Sequence, residues 1–177
     1  MLIRYPRVLG RQRRTSITPI DVPDIMPTLL GLAGLPKVES AQGADYSALI
    51  RGKSQDEKEP AALLNLPASF AVARRRGFAE YRGVRTPRHT YVRSMHGPWL
   101  LYDNQKDPYQ MRNLIGKDNR LQSRMERRLE ALLKAAGDEF LPGARYIERA
   151  QASHYREVNT EVGKVKSPWE DWESTWR

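Results

Sequence analysis

The 177-residue sequence contains no cysteine. That absence excludes disulfide frameworks, cysteine-ligated zinc sites and thiol nucleophiles, and it leaves the redox compartment unread. Long apolar runs are missing as well. No window approaches the roughly 18 apolar residues that a membrane-spanning helix needs, and the first six residues hold no apolar stretch of signal-peptide length. The sequence is therefore expected to be soluble, with no membrane partner and no export signal of its own. Apolar residues are also scarce: 40% are hydrophobic and 29% charged, with a mean hydropathy of -0.69, on the polar side of an ordinary globular domain. The length permits one domain with a real core, but a core this sparse is expected to seek a partner surface.

Charge is the most conspicuous surplus. Thirty Lys and Arg stand against 21 Asp and Glu, for a net charge of +9, which raises nucleic acid as a partner. The basic residues fall in three short clusters: Arg11, Arg13 and Arg14; Arg74 to Arg76; and Arg124, Arg127 and Arg128. Short clusters in loops and on helix faces are more often solvated surface than a binding site, so nucleic acid is not the favoured partner.

Periodicity and turn residues divide the chain. Leu2 to Tyr5 reads as a short strand closed by Pro6. Asp24 to Gly34 reads as a helix capped by Asp24, with Pro27 in its first turn and Gly34 and Pro36 ending it. Its apolar positions Ile25, Leu29, Leu32 and Ala33, widened by Met26 and Leu30, ask for burial over most of the circumference. A short amphipathic piece comes next at Tyr46 to Arg51, then a buried strand at Ala61 to Leu66. Three closely spaced strand candidates, Glu80 to Thr86, His89 to Ser94 and Trp99 to Asp103, have the spacing of antiparallel hairpins. Asp107-Pro108 turns the chain toward the clearest helix, Asp118 to Ala136, with Asp118 as N-cap and Gly137 past its end. Leu121, Met125, Leu129, Leu132 and Ala136 form its stripe, against which Trp99, Leu101 and Tyr102 are expected to pack. Beyond Pro142 the charged and aromatic tail (Tyr146, Tyr155, Trp169, Trp172, Trp176) shows no period and is expected to wrap a surface or stay partly disordered.

Five of these pieces, in register, resemble sulfatases of the alkaline-phosphatase-like superfamily: "LIRYP" at Leu2 to Pro6, "DVPDIMPTLLGLAGLP" at Asp21 to Pro36, "GADYSALIRG" at Gly43 to Gly52, "GVRTPRHTYVR" at Gly83 to Arg93 and "PWLLYDNQKDPYQMRNL" at Pro98 to Leu114. The resemblance covers roughly residues 1–140. It implies an α+β fold: a small antiparallel sheet packed on a C-terminal helix, plus the closing strand and helix of an alkaline-phosphatase-like α/β domain. Expected boundaries are 1–60 for the end of that domain, 61–140 for the C-terminal subdomain and 141–177 for an irregular tail. Because Met1 falls inside a family strand, the chain is expected to be a truncated product, a separately encoded half or a piece of a longer protein, completed by an N-terminal sulfatase domain. Isolated, it is expected to aggregate or pack loosely.

Sulfate ester hydrolysis needs a nucleophile, a divalent cation to offset oxyanion charge and a general acid for the leaving alcohol. The resemblance implies a formylglycine made within a Cys/Ser-x-Pro-x-Arg signature and a calcium or magnesium ion, with ligands, lysines and histidines all upstream of this chain. The nearest match, Ser47-Ala48-Leu49-Ile50-Arg51, has Leu49 where proline is required. No catalytic or metal-binding residue is therefore assigned here, and no cofactor is expected in this chain by itself. Asp103 at a strand end could be a metal ligand but reads better as a turn former, and Asn113 is placed to bond nearby backbone. Of the three histidines, His89 and His154 read as packing or surface. His96, in the Ser94 to Pro98 hairpin, is the candidate substrate-binding residue, since the family's C-terminal subdomain borders the cleft. The expected function is a C-terminal fragment of a sulfuric ester hydrolase, inactive alone, acting on a carbohydrate or aryl sulfate only when complete; a basic nucleic-acid-binding or stand-alone interaction module is the alternative. Compartment stays open, since full-length relatives of this kind are often exported.

Overall fold

A computed structural model describes residues 1–11, 13–55, 60–66 and 80–149. The cluster Arg74 to Arg76, His154 and the aromatics Tyr155, Trp169, Trp172 and Trp176 lie outside the described residues. The elements are α1 (Pro6–Leu9), α2 (Val22–Ala33), α3 (Ser47–Ile50), β1 (Ala62–Leu66), β2 (Tyr81–Arg85), β3 (His89–Ser94), β4 (Gly97–Asp103), α4 (Asn119–Ala136) and α5 (Gly143–Arg149). The strands form one antiparallel sheet in the order β1-β2-β3-β4. Two compact units divide the chain: Met1–Leu63, Val84–Thr90 and Tyr102–Arg112 make the first, and the rest of the described chain makes the second.

In the first unit, Leu2 to Tyr5 forms no strand. Pro6 instead opens the helical turn α1, where its fixed φ suits the first helical position and its missing N–H costs nothing. The Tyr5 carbonyl accepts from the Val8 and Leu9 N–H groups.

Helix α2 starts three residues before the expected point. Asp21 is the N-cap and Asp24 is the third helical residue; the Asp24 carboxylate also accepts from the Asp21 N–H at 2.8 Å, a reciprocal capping box. Pro27 consequently sits inside the helix, and Gly34 closes it in the left-handed conformation.

The buried face of α2 also differs from the apolar stripe expected of it. Pro27, Thr28 and Leu32 are buried, whereas Ile25, Met26 and Leu29 are 39%, 48% and 52% exposed and Ala33 is exposed as well. The reason is polar: this face anchors the loop after the helix through hydrogen bonds. Thr28 Oγ1 accepts from the Tyr46 N–H at 3.0 Å, and Asp24 Oδ1 accepts from the Ala44 N–H at 2.8 Å. Arg51 donates to the Gly31 and Leu32 carbonyls at 2.9 and 3.0 Å, supplying the partners that a helix's last turn lacks. Close approach demands glycine at two points. A Cβ on Gly31 would lie 2.3 Å from an Asp45 carboxylate oxygen, and one on Gly43 would lie 2.0 Å from the Pro23 carbonyl oxygen.

The second unit is built on β3, β4 and α4. The α4 boundaries match the sequence pattern, with the Asp118 carboxylate accepting from the Leu121 N–H and Gly137 left-handed at the end. Its buried residues are Met125, Leu129 and Leu133; Leu132 is half-buried and Ala136 exposed, so Leu133 takes the place expected for Ala136. Leu101 is fully buried, while Trp99 and Tyr102 are only half-buried. Alternate strand residues face opposite sides, which takes Tyr102 off the Leu101 face. β1 is likewise only half-buried along most of its length.

A buried cation completes this unit. Arg82 is 1% exposed and donates to both Asp138 oxygens at 2.5 and 3.1 Å, to the Tyr146 hydroxyl at 2.9 Å and to the Tyr81 carbonyl at 2.9 Å. Its guanidinium also lies 4.7 Å from the Phe140 ring centre, within cation–π range. Burial raises the Asp138 carboxyl, but Arg82, the Phe140 N–H and the Tyr146 hydroxyl outweigh it and hold the group below its usual value. Arg82→Met is expected to cost about 3–5 kcal/mol in urea unfolding by stranding the carboxylate. The double variant Arg82→Met/Asp138→Leu should lose less; an equal or larger loss would show that the pair is not the coupled unit described.

Candidate functional site

His96 occupies the two-residue turn Met95-His96 between β3 and β4. The Ser94 hydroxyl accepts from the His96 N–H at 3.1 Å and faces the Gly97 carbonyl at 3.4 Å, while Gly97 carries a φ of 117° that disfavours a side chain. The ring is exposed and has no hydrogen-bond partner among the described residues. The Ser94 hydroxyl thus ties down the backbone of the hairpin tip that carries it. His89, by contrast, is buried.

The residues between β2 and β3 and after β4 are held by a polar cluster in the first unit. Thr90 Oγ1 accepts from Arg85 at 2.7 Å and from Gln110 at 3.3 Å, and it donates to Asn104 Oδ1 at 3.2 Å. Asn104 Oδ1 also accepts from Arg85 at 3.2 Å and from Gln110 at 2.9 Å, which leaves Asn104 Nδ2 buried without a partner among the described residues. Gln110 reaches this position from a φ of 55°, a left-handed conformation uncommon for a side-chain-bearing residue. The turn at Asp107 enforces it: the Asp107 carbonyl accepts from the Gln110 N–H, and its carboxylate accepts from the Met111 and Arg112 N–H groups.

Asp103 is a structural carboxylate. Arg88 donates to it through Nε and Nη2 at 3.1 and 2.8 Å, and the Gln105 and Lys106 N–H groups add bonds at 3.2 and 3.3 Å. Arg88 and these N–H groups hold its carboxyl at about 2, as expected when every bond favours the charged form. Among the described residues no three His, Asp or Glu side chains converge as a metal site, and Asp103 is committed to Arg88. The described donor set therefore does not fit calcium or magnesium.

Arg51 settles the resemblance of Ser47 to Arg51 to a nucleophile signature. It binds the carbonyls ending α2, and Arg14 in turn donates to the Arg51 carbonyl at 2.6 Å. The segment is a brace. Asn113 acts similarly in the second unit, accepting from the Leu101 and Ile115 N–H groups at 3.0 and 3.1 Å and donating to the Trp99 carbonyl at 2.9 Å. One amide side chain thus pairs with β4 as a neighbouring strand would.

The hairpin sheet, the long helix on it and the Asp-Pro turn between them define the C-terminal region of a sulfatase of the alkaline-phosphatase-like fold. The family model for N-sulphoglucosamine sulphohydrolase, C-terminal, matches residues 1–135, and the chain belongs to that family. It is similar to an ulvan-active sulfatase of Formosa agariphila, 35% identical over 94% of this chain and 34% of the relative. An endo-4-O-sulfatase of Bacteroides thetaiotaomicron is 28% identical over 77% of this chain and 29% of the relative. A structure described as a sulfatase of Bacteroides fragilis superposes with a TM-score of 0.54 at 26% identity, over 66% of this chain and 25% of that one. A protein solved with its substrate D-glucosamine-2-N,6-O-disulfate gives a TM-score of 0.53 at 24% identity, over 68% of this chain and 25% of that one, a likeness of fold. The chain thus spans about a third of the length of the curated relatives it matches. No helix among the described residues is long and apolar enough to cross a membrane.

The Asp103 carboxyl gives a test in acid. Its folded value lies below the ordinary aspartate value of about 3.9, so its contribution to stability is full above about pH 4 and fades as pH falls toward 2. Arg88→Gln is expected to move the Asp103 midpoint, followed by carboxyl NMR, up toward about 4; an unmoved midpoint would show that Arg88 is not its cause.

Proposed function

We propose that this chain is the C-terminal portion of a sulfuric ester hydrolase acting on a sulfated carbohydrate, supplying scaffold and substrate contact but no chemistry when alone. The observation that carries the reading is the family match over residues 1–135 together with coverage of only 34% of the ulvan-active relative. The carbohydrate class comes from the names of the curated relatives, which include the ulvan-active sulfatase and the endo-4-O-sulfatase. In this proposal residues 1–60 close the α/β domain, 61–140 form the C-terminal subdomain and 141–177 extend from it. Nucleophile and calcium or magnesium ligands belong to the α/β body, which is the partner the chain needs.

The exposed apolar face of α2 supports such a partner. Val22, Ile25, Met26 and Leu29 are 78%, 39%, 48% and 52% exposed, and Leu35 and Val38 extend the same apolar character past the helix. Burial of that face is favourable by about 25 cal/mol per Å² of apolar area. His96 is the residue proposed to meet the sugar, because its exposed ring stands on a hairpin fixed by backbone bonds.

The chain alone should release no sulfate from an aryl sulfate or from ulvan. Replacing the matching third of the ulvan-active relative with residues 1–177 should retain activity on both. In that chimera His96→Ala is expected to raise KM on ulvan about tenfold, the loss of about 1.4 kcal/mol of binding, with aryl sulfate kinetics unchanged. Sulfate release by the isolated chain would refute the reading of an incomplete enzyme, and equal effects on both substrates would remove His96 as a sugar contact.

A further inference from the structure

The solvent face of α4 carries a line of cations that the fold does not use. At 100° per residue, Arg120, Arg124, Arg127 and Lys134 fall within an arc of about 80°, diametrically opposite Leu129, and span about 21 Å of helix axis. All four are exposed. None has a hydrogen-bond or ion-pair partner among the described residues. Arg128 borders the line on one side and Glu130 on the other. The remaining acid of the helix, Glu126, is committed to the Tyr91 hydroxyl and the Arg93 guanidinium.

This arrangement works against the helix that carries it. Like charges at i,i+4 destabilise a helix by roughly 0.2–0.5 kcal/mol per pair; Arg120 faces Arg124 at that spacing, and Arg124 faces Arg128. Glu130 stands four residues before Lys134, the favourable order, yet the two form no ion pair. Three of the four cations are arginine, whose planar fork of donors matches the oxygens of an oxyanion in pairs. Ala131 lies among them and Ser123 just beside them, with no aromatic ring on the arc. Single-stranded nucleic acid binding normally adds aromatic stacking platforms to its cations, whereas a polymer bearing sulfate groups along its length needs only the cations, repeated along a line.

We propose that the outer face of α4 is an accessory, non-catalytic binding site for a sulfated polysaccharide. Arg120, Arg124 and Arg127 engage successive sulfate groups of one chain, and Lys134 extends the track. This rests on the sulfated-carbohydrate reading of the substrate, but binding requires no turnover, so the two can fail separately. It assigns α4 the retention of a polymer and leaves ester selection elsewhere.

The test uses the full chain and dextran sulfate, with affinity measured against salt. The triple variant Arg120→Gln/Arg124→Gln/Arg127→Gln is expected to weaken binding at least tenfold near 0.1 M salt and to flatten the slope of log affinity against log salt by about 2–3, one counterion per lost contact. The triple Lys variant at the same positions should keep the slope while losing several-fold in affinity, which separates binding from any loss of folding. A control, Arg4→Gln/Arg7→Gln/Arg11→Gln, removes the same charge from exposed positions elsewhere and should change neither. An equal loss in the control would overturn the site. So would binding of single-stranded DNA as tight as that of dextran sulfate with the same dependence on these arginines, which would assign the face to nucleic acid.

Discussion

A guanidinium taken out of water must find partners for five N–H donors, and the second unit is organised by that requirement at Arg82. The partners cannot come from the sheet alone, since a strand neighbour offers one carbonyl. They come from the chain after α4: Asp138 supplies two oxygens, Tyr146 a hydroxyl and Phe140 a ring face. Gly137 reverses the chain in the left-handed conformation and brings Asp138 back toward β2. The Asp138 carboxylate then orders the next turn of chain, accepting from the Phe140 N–H and the Tyr146 hydroxyl. Tyr146 accepts from the Leu141 N–H, so α5 is tied to the same group.

Local signals made much of this architecture legible in the sequence. β2, β3 and β4 fall where turn residues and β-formers alternate, and α4 begins and ends at its Asp118 and Gly137 signals. Asn113 does bond the backbone beside it. What the sequence concealed is non-local or competitive. Arg82 and Asp138 are 56 residues apart, and no spacing rule links them. Asp21 and Asp24 are both good caps, and only the capping box shows which one starts α2. Its apolar pattern misdirected the burial reading because hydrogen bonds from the 43–51 loop claim the Thr28 face. Leu2 to Tyr5 has strand-forming side chains, yet Pro6 directs the chain into a helical turn.

For the candidate site the balance was similar. The hairpin carrying His96 was readable from Ser94 to Pro98, as was the absence of a nucleophile signature. The cluster of Arg85, Thr90, Asn104 and Gln110 was not, because Gln110 reaches it only through a left-handed backbone that the Asp107 turn imposes. Arg124 and Arg127 were visible within a cluster; their alignment with Arg120 opposite Leu129 emerges only from the folded helix.

The Arg82 cation of the second unit is satisfied, whereas the apolar face of α2 in the first is left exposed. The polar side of α2 is occupied by its own loop, and the apolar side stands open, as the proposed α/β partner requires. Amide hydrogen exchange across residues 22–33, compared between the chain alone and the chain joined to a sulfatase α/β body, tests this most directly. Marked slowing of exchange in that helix on joining, with α4 unchanged, is the expected result; equal exchange in both would contradict it.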